Sequence, residues 1–152
     1  MSDISGYGFR LNLISTTTFP VGFDVTAFAD DADPIDFPEL TVAEAAMGLN
    51  GDLVSWSTAN PVPITISIIP NSSDDINLGL LAEATRVGKG KLPGSDSITM
   101  VGVYPNGATV TLTNGIVTNF LPANPISSAG RIKSKVYKFT FENILYIPIP
   151  LT

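Results

Sequence analysis

The side chains best equipped for chemistry in this chain are carboxylates. Asp30, Asp31, Asp33, Asp36 and Glu39 form the densest group, and Asp74 with Asp75 form a second. Clustered carboxylates suit calcium, and paired ones suit hydrolysis of a glycosidic bond. Neither pattern is complete. An EF-hand loop starting at Asp31 would place Asp36 where Gly is required and Val42 where a bidentate Glu belongs. Asp74 and Asp75 follow Ser72, a natural helix N-cap, so they read as first-turn carboxylates facing unsatisfied amides and the macrodipole. Asp30 with Asp33 qualifies by residue type only. The chain has no cysteine and no histidine, which excludes disulfides, thiolate or imidazole metal sites, and Cys-His or Ser-His-Asp catalysis. Gly88-Lys89-Gly90-Lys91 lacks the spacing of a phosphate-binding loop. Trp56, the single tryptophan, sits in a strand pattern and reads as core rather than as a sugar platform. The residues therefore point away from an enzyme and assign no catalytic, cofactor-binding or metal-ligating position.

The elements that hold these residues are mostly strands. Gly8 to Ser15 places Phe9, Leu11 and Leu13 on one face, and Val21, Phe23 and Val25 alternate in the next run, so the two predict a hairpin. Ala29 to Pro38 is a loop rich in Asp and Pro. Thr41 to Met47 is ambiguous: Thr41 and Glu44 have capping-box spacing, and Gly48 is placed to end a short helix. Leu53 to Ser57 and Ile64 to Ile69 have strand composition, and Pro70 stops the second. A helix follows over Ser73–Val87, with Gly88 as its C-terminal stop. Its main apolar stripe is Ile76, Leu80, Ala84 and Val87, assigned to the sheet. Leu78 and Ala82 lie off that stripe and are assigned to a neighbouring subunit. Ile98 to Tyr104, Thr109 to Thr113 and Ile116 to Leu121 are predicted as three strands separated by Asn-Gly turns at Asn106 and Asn114, with positive φ at both central residues. Arg131 to Phe141 forms the closing strand. The expected fold is a single mainly β domain over residues 1–152, an antiparallel sandwich or partly closed barrel flanked by one helix.

Composition adds a constraint. Mean hydropathy is positive and only 14% of residues are charged, yet no apolar run is long enough to span a bilayer. The polar Met1–Gly8 segment does not resemble a secretory signal. A surface with so few charges exposes apolar patches. Covering them with other subunits resolves the tension, so an obligate oligomer is expected. Net charge is −6, which argues against binding nucleic acid. No Lys or Arg occurs between Leu11 and Thr85; the cations fall into Arg86, Lys89 and Lys91, then Arg131, Lys133, Lys135 and Lys138. One reading is a solvated acidic loop and a charged edge strand whose lysines prevent edge pairing. The other is that the acidic group of one subunit meets a basic set of the next.

The order of motifs resembles the tail tube proteins of contractile-tailed bacteriophages. The resemblance rests on the acidic loop Phe28 to Phe37, the turn Asn50 to Asp52, the alternating strand Ile64 to Ile69 and the helix start Pro70 to Leu81, with the closing strands. It implies an extended acidic arm at 28–52, with Thr41 to Met47 extended and paired through Asn50-Gly51, and a Pro-rich C-terminal arm at 144–152. It also implies a virion structural protein made in the host cytoplasm. Such a protein forms stacked, six-membered rings of the inner tube or its baseplate end. Its partners would be further copies, sheath and baseplate proteins, and double-stranded DNA that passes without specific binding. The acidic group Asp30, Asp31, Asp33, Asp36 and Glu39 would then lie either at a contact between subunits or on the lumen, where it repels phosphates. A carbohydrate-binding β-sandwich of a tail fibre or adhesin is the alternative from another class.

Overall fold

A computed structural model describes residues 9–29, 34–90, 96–126 and 128–148. Seven strands form one antiparallel sheet: β1 (Arg10–Ser15), β2 (Phe23–Val25), β3 (Ile35–Asp36), β6 (Val62–Ile68), β7 (Ile98–Val103), β8 (Thr109–Phe120) and β9 (Lys135–Ile147). Their spatial order is β2-β1-β7-β8-β9-β6-β3. The sheet curls into a half-barrel, so the barrel alternative holds and the two-sheet sandwich does not. Two further strands, β4 (Ala43–Met47) and β5 (Leu53–Ser57), pair only with each other. This settles Thr41 to Met47 as extended, in the hairpin joined through Asn50-Gly51.

Strict alternation aims one side chain in two at a common core. Leu11 and Leu13, Ile64, Ile66 and Ile68, Val110 and Leu112, and Tyr137, Phe139 and Phe141 all bury on the inner face of the sheet. One helix, α1 (Ser73–Thr85), covers that face. Ser72 is its N-cap, accepting from the Asp75 amide at 3.2 Å. Its end is not made by Gly88: Arg86 takes an extended conformation and its amide is shared between the carbonyls of Ala82 and Glu83. The helix therefore stops at Thr85, short of Val87.

The helix is rotated relative to the sequence expectation. Leu78, Leu81 and Ala82 are buried, whereas Ile76 is 60% and Leu80 57% exposed. Leu78 and Ala82 are thus core residues: Leu78 is closed to a neighbour, and Ala82 reaches the surface only as part of the wall of a groove. The cause is electrostatic. Asp74 and Asp75 are themselves buried and hydrogen-bonded into the fold, and positions three, four, seven and eight residues along must share their face. Leu78, Leu81 and Ala82 follow the carboxylates inward, and the larger aliphatic stripe is left outside.

The three Asn-Gly pairs divide. At Asn50-Gly51 the Gly51 amide donates to the Gly48 carbonyl (2.9 Å) and the Gly48 amide to the Asp52 carbonyl (2.7 Å). The same two bonds recur at Asn106-Gly107, from Gly107 to Tyr104 and from Tyr104 to Ala108. In both turns only the glycine has positive φ, so each is a four-residue turn closed by a glycine bulge rather than the two-residue primed turn expected. Asn114-Gly115 makes no turn. The strand runs through it, with Asn114 at φ 53° and a one-residue register shift against β7. A left-handed Asn in a continuous strand is a bulge, which bends the sheet. Gly115 leaves the space that the Phe141 ring occupies, since a Cβ there would lie 2.3 Å from the ring.

β9 extends to Ile147, pairing with β8 as far as Thr109. Ile144 to Ile147, expected to begin a terminal arm, is therefore part of the sheet. Residues 149–152 lie outside the described residues. The rotated helix has a direct test. Leu78→Ala should lower stability by about 2–5 kcal/mol, whereas Leu80→Ala should change it by no more than about 0.5 kcal/mol. Urea denaturation of both variants reads the difference, and equal losses would contradict the rotation.

Candidate assembly surfaces

Three buried carboxylates tie loops and helix to the sheet. Asp74 accepts from the Thr26 and Ala27 amides at 2.7 and 2.8 Å, clamping the segment after β2. Asp75 accepts from the Asn71 amide (2.9 Å) and the Tyr137 hydroxyl (2.7 Å), and Lys135 Nζ lies 3.4 Å from it. Asp96 accepts from the Thr17 and Thr18 amides and from the Thr18 hydroxyl. Asp74 and Asp75 therefore serve architecture, which removes them as a catalytic pair. Burial pushes the Tyr137 hydroxyl, followed by the effect of the Asp75 carboxylate, well above the ordinary tyrosine range, so it stays a donor. Burial pushes Asp96 up, but bonds from Thr18 and Thr17 outweigh it and hold the carboxyl below its usual range. The Ser15 hydroxyl, which meets no partner at hydrogen-bonding geometry, adds to that lowering through its proximity.

The charged residues singled out in the sequence scatter. Lys135 is buried over the Tyr137 ring and beside Asp75, so it is a core cation and not an interface lysine. Alternation in β9 sets it apart from Lys138: Lys135 shares the buried face of Tyr137, Phe139 and Phe141, Lys138 takes the opposite one, and Lys133 precedes the strand. Arg86 is paired with Glu83 at 2.6 Å. Lys89, Arg131, Lys133 and Lys138 are exposed, as are Asp36 and Glu39. Asp36 and Lys138 lie at the same level on either side of Thr65 in one subunit's sheet. Asp30, Asp31, Asp33 and Lys91 lie outside the described residues. Among the described residues no cluster of acids could hold a metal ion, and no helix is long and apolar enough to cross a membrane. The sequence analysis singles out no role for Asp96, whose anchoring partners Thr17 and Thr18 lie nearly eighty residues away.

Apolar exposure is widespread, and the β4–β5 hairpin carries the densest run of it. All ten strand residues of the β4–β5 hairpin are exposed, Met47, Leu53 and Val54 among them. Leu49, at the tip, is as exposed as in an unfolded chain (109%). Trp56, expected in the core, is 48% exposed, with its ring N–H donating to Glu44 at 3.1 Å. A lone two-stranded hairpin with no core of its own is marginal in water. The outer face of α1 adds Ile76 and Leu80. Beside the helix, Ala82, Thr85, Arg86, Val117, Thr118 and Phe120 line a groove of about 200 Å³. The geometry offers covered-surface chemistry, meaning association, rather than a pocket that encloses a substrate.

The chain belongs to the family described as tail fiber protein gp32, which matches residues 2–145. It is accordingly a structural protein of phage-tail type. No curated protein matches the sequence. Its fold is similar to the sheath/tube terminator of the PVC extracellular contractile injection system, at TM-score 0.61 and 10% identity over 96% of this chain and 97% of that one. A chain of the six-fold-symmetrised anti-feeding prophage baseplate gives 0.60 and 10% identity over 99% of both chains. The anti-feeding prophage tube-terminating cap gives 0.59 and 12% identity over 96% of this chain and 91% of that one.

The Asp96 anchor sets an expectation for acid. A carboxyl held below its ordinary range contributes stability that is complete above about pH 4 and is lost as pH falls through the lowered value. Asp96→Asn should be less stable than wild type at pH 7, by about 1–3 kcal/mol. It should also lose less on acidification from pH 7 to pH 2 in denaturant titrations. An acid limb of equal depth in both proteins would remove Asp96 from the account.

Proposed function

We propose that copies of this chain pack side by side into rings, six to a ring, that stack as part of the inner tube of a contractile tail or at its terminating or baseplate end. The observation that supports this most strongly is the β4–β5 hairpin, an exposed apolar projection that contributes no residue to the hydrophobic core among the described residues. Family membership and a fold shared with terminator, baseplate and cap chains agree with it. Sheath and baseplate proteins are the expected neighbours, in the virion tail, with no membrane insertion. Double-stranded DNA would pass along the axis without specific binding, favoured by the net charge of −6, which repels phosphates. Charge contacts between the acidic segment (Asp30, Asp31, Asp33, Asp36, Glu39) and exposed cations such as Lys133 or Lys138 would then set register between copies.

The family description favours a second reading, a carbohydrate-binding module of a tail fibre, for which the half-exposed Trp56 is the one suitable platform. The two readings separate in one experiment. Purified protein should form rings or tubes of uniform width in negative-stain electron microscopy. A Met47→Ser, Leu53→Ser, Val54→Ser variant should remain a folded monomer with a cooperative thermal transition whose midpoint no longer depends on protein concentration, because those side chains are exposed in the free subunit. A compact monomer at all concentrations in analytical ultracentrifugation, with binding on a glycan array lost in Trp56→Ala, would overturn the ring and support the fibre module.

A further inference from the structure

Leu49 is the most anomalous side chain on the surface. It occupies the second position of the hairpin turn Gly48-Leu49-Asn50-Gly51. The turn Tyr104-Pro105-Asn106-Gly107 has the same pattern of backbone bonds and places Pro105 there. Proline suits this position because its ring pre-sets φ. A leucine contributes nothing to the turn and stands wholly in water. Because it is fully exposed in its own subunit, its partner surface must belong to another molecule.

The groove beside α1 fits it on size and on charge. At about 200 Å³ it is larger than a leucine side chain, and Ala82, Val117 and Phe120 give it apolar walls. Arg86 lines its rim and Lys89 follows in the exposed segment beyond. The hairpin has the opposite charge. It holds Glu44 and Asp52 and no cation, and Asp52 lies three residues from Leu49. We infer that the Leu49 tip of one copy inserts into the Ala82–Phe120 groove of a second copy, with Asp52 facing Arg86 and Lys89. This rests on the self-association proposed above and names the two surfaces that meet. Because knob and groove are different surfaces, the contact is heterologous, and it propagates into a closed ring or a stack rather than ending at a dimer.

The absence of cysteine from the chain gives a clean background for cross-linking. A Leu49→Cys, Thr118→Cys variant should give a ladder of trimers and larger species on mild oxidation and non-reducing electrophoresis. Each single variant should stop at dimers. The control is Leu49→Cys with Val103→Cys, at a second concavity of about 410 Å³ lined by Arg10, Val103, Tyr104, Pro105 and Gly107. A ladder from the control pair and none from the first would overturn the assignment of the groove. Absence of any ladder from protein that still sediments as assemblies would overturn the Leu49 contact while leaving self-association standing. Protein that neither cross-links nor sediments above monomer would overturn both.

Discussion

The position of two carboxylates determines what this fold presents to its surroundings. Asp74 and Asp75 open the only helix among the described residues, where the exposed amides and the macrodipole favour them. They also reach inward, one to the backbone after β2 and the other to Asn71, Tyr137 and Lys135. Burying a carboxylate is costly unless it is hydrogen-bonded or paired; two backbone amides hold Asp74, and hydrogen bonds together with Lys135 hold Asp75. Their bonds thus set the helix phase against a purely aliphatic optimum. Had the helix rotated to bury Ile76 and Leu80, both carboxylates would have left their partners, and the buried Lys135 would have kept a charge without a counter-ion. Rotation would also exchange the buried Leu78 and Leu81 for Ile76 and Leu80, so it offers little apolar gain to set against that loss. The helix therefore keeps an apolar outer face, and the groove beside it follows from the same rotation.

Much of the sheet was legible because its signals are local. Alternation at Leu11–Leu13, Ile64–Ile68 and Tyr137–Phe141 states which side chains bury, and the structure buries them. Ser72 and the glycines of two Asn-Gly turns are equally local. What was not legible depends on partners distant in sequence. The helix phase turns on Thr26 and Tyr137, each more than forty residues from the helix start. Lys135 lies on the buried face of its strand by alternation, but its counter-ion Asp75 is sixty residues away and gives no local signal. Asn114-Gly115 has the composition of a turn, but a long cross-strand ladder with β9 runs through it and the Phe141 ring fills the glycine's space. Local propensity there gave way to tertiary pairing. Trp56 misleads for the opposite reason: its strand has the right composition but no sheet to join.

The charge pattern changes meaning once burial is known. Seven cations after Thr85 read as two basic sets, yet Lys135 belongs to the core and Arg86 is paired with Glu83. Asp36 and Lys138, assigned to opposite sides of an interface, share one face of the same sheet across Thr65. Exposed pairs of this kind contribute little to stability. Their value in an assembly is to favour one register over others, which depends on sign and spacing more than on strength.

The fibre name of the family and the tube-like fold of the chain make different demands on the surface. A tube or ring role requires a subunit whose apolar surface is covered by protein, and this chain exposes such surface in separate places, on the hairpin and on the outer helix face. A glycan-binding module would concentrate aromatic and polar groups in one concavity; here the single tryptophan sits on a projecting strand and donates to Glu44. The half-barrel is also open, ending in edge strands of three and two residues. Short edges keep free subunits from pairing at random, which leaves specificity to side-chain contacts. The proposed contact of a protruding hairpin with a groove on the next copy would supply that specificity without exposing a long strand edge. That is the property a ring-forming subunit needs while it is still unassembled.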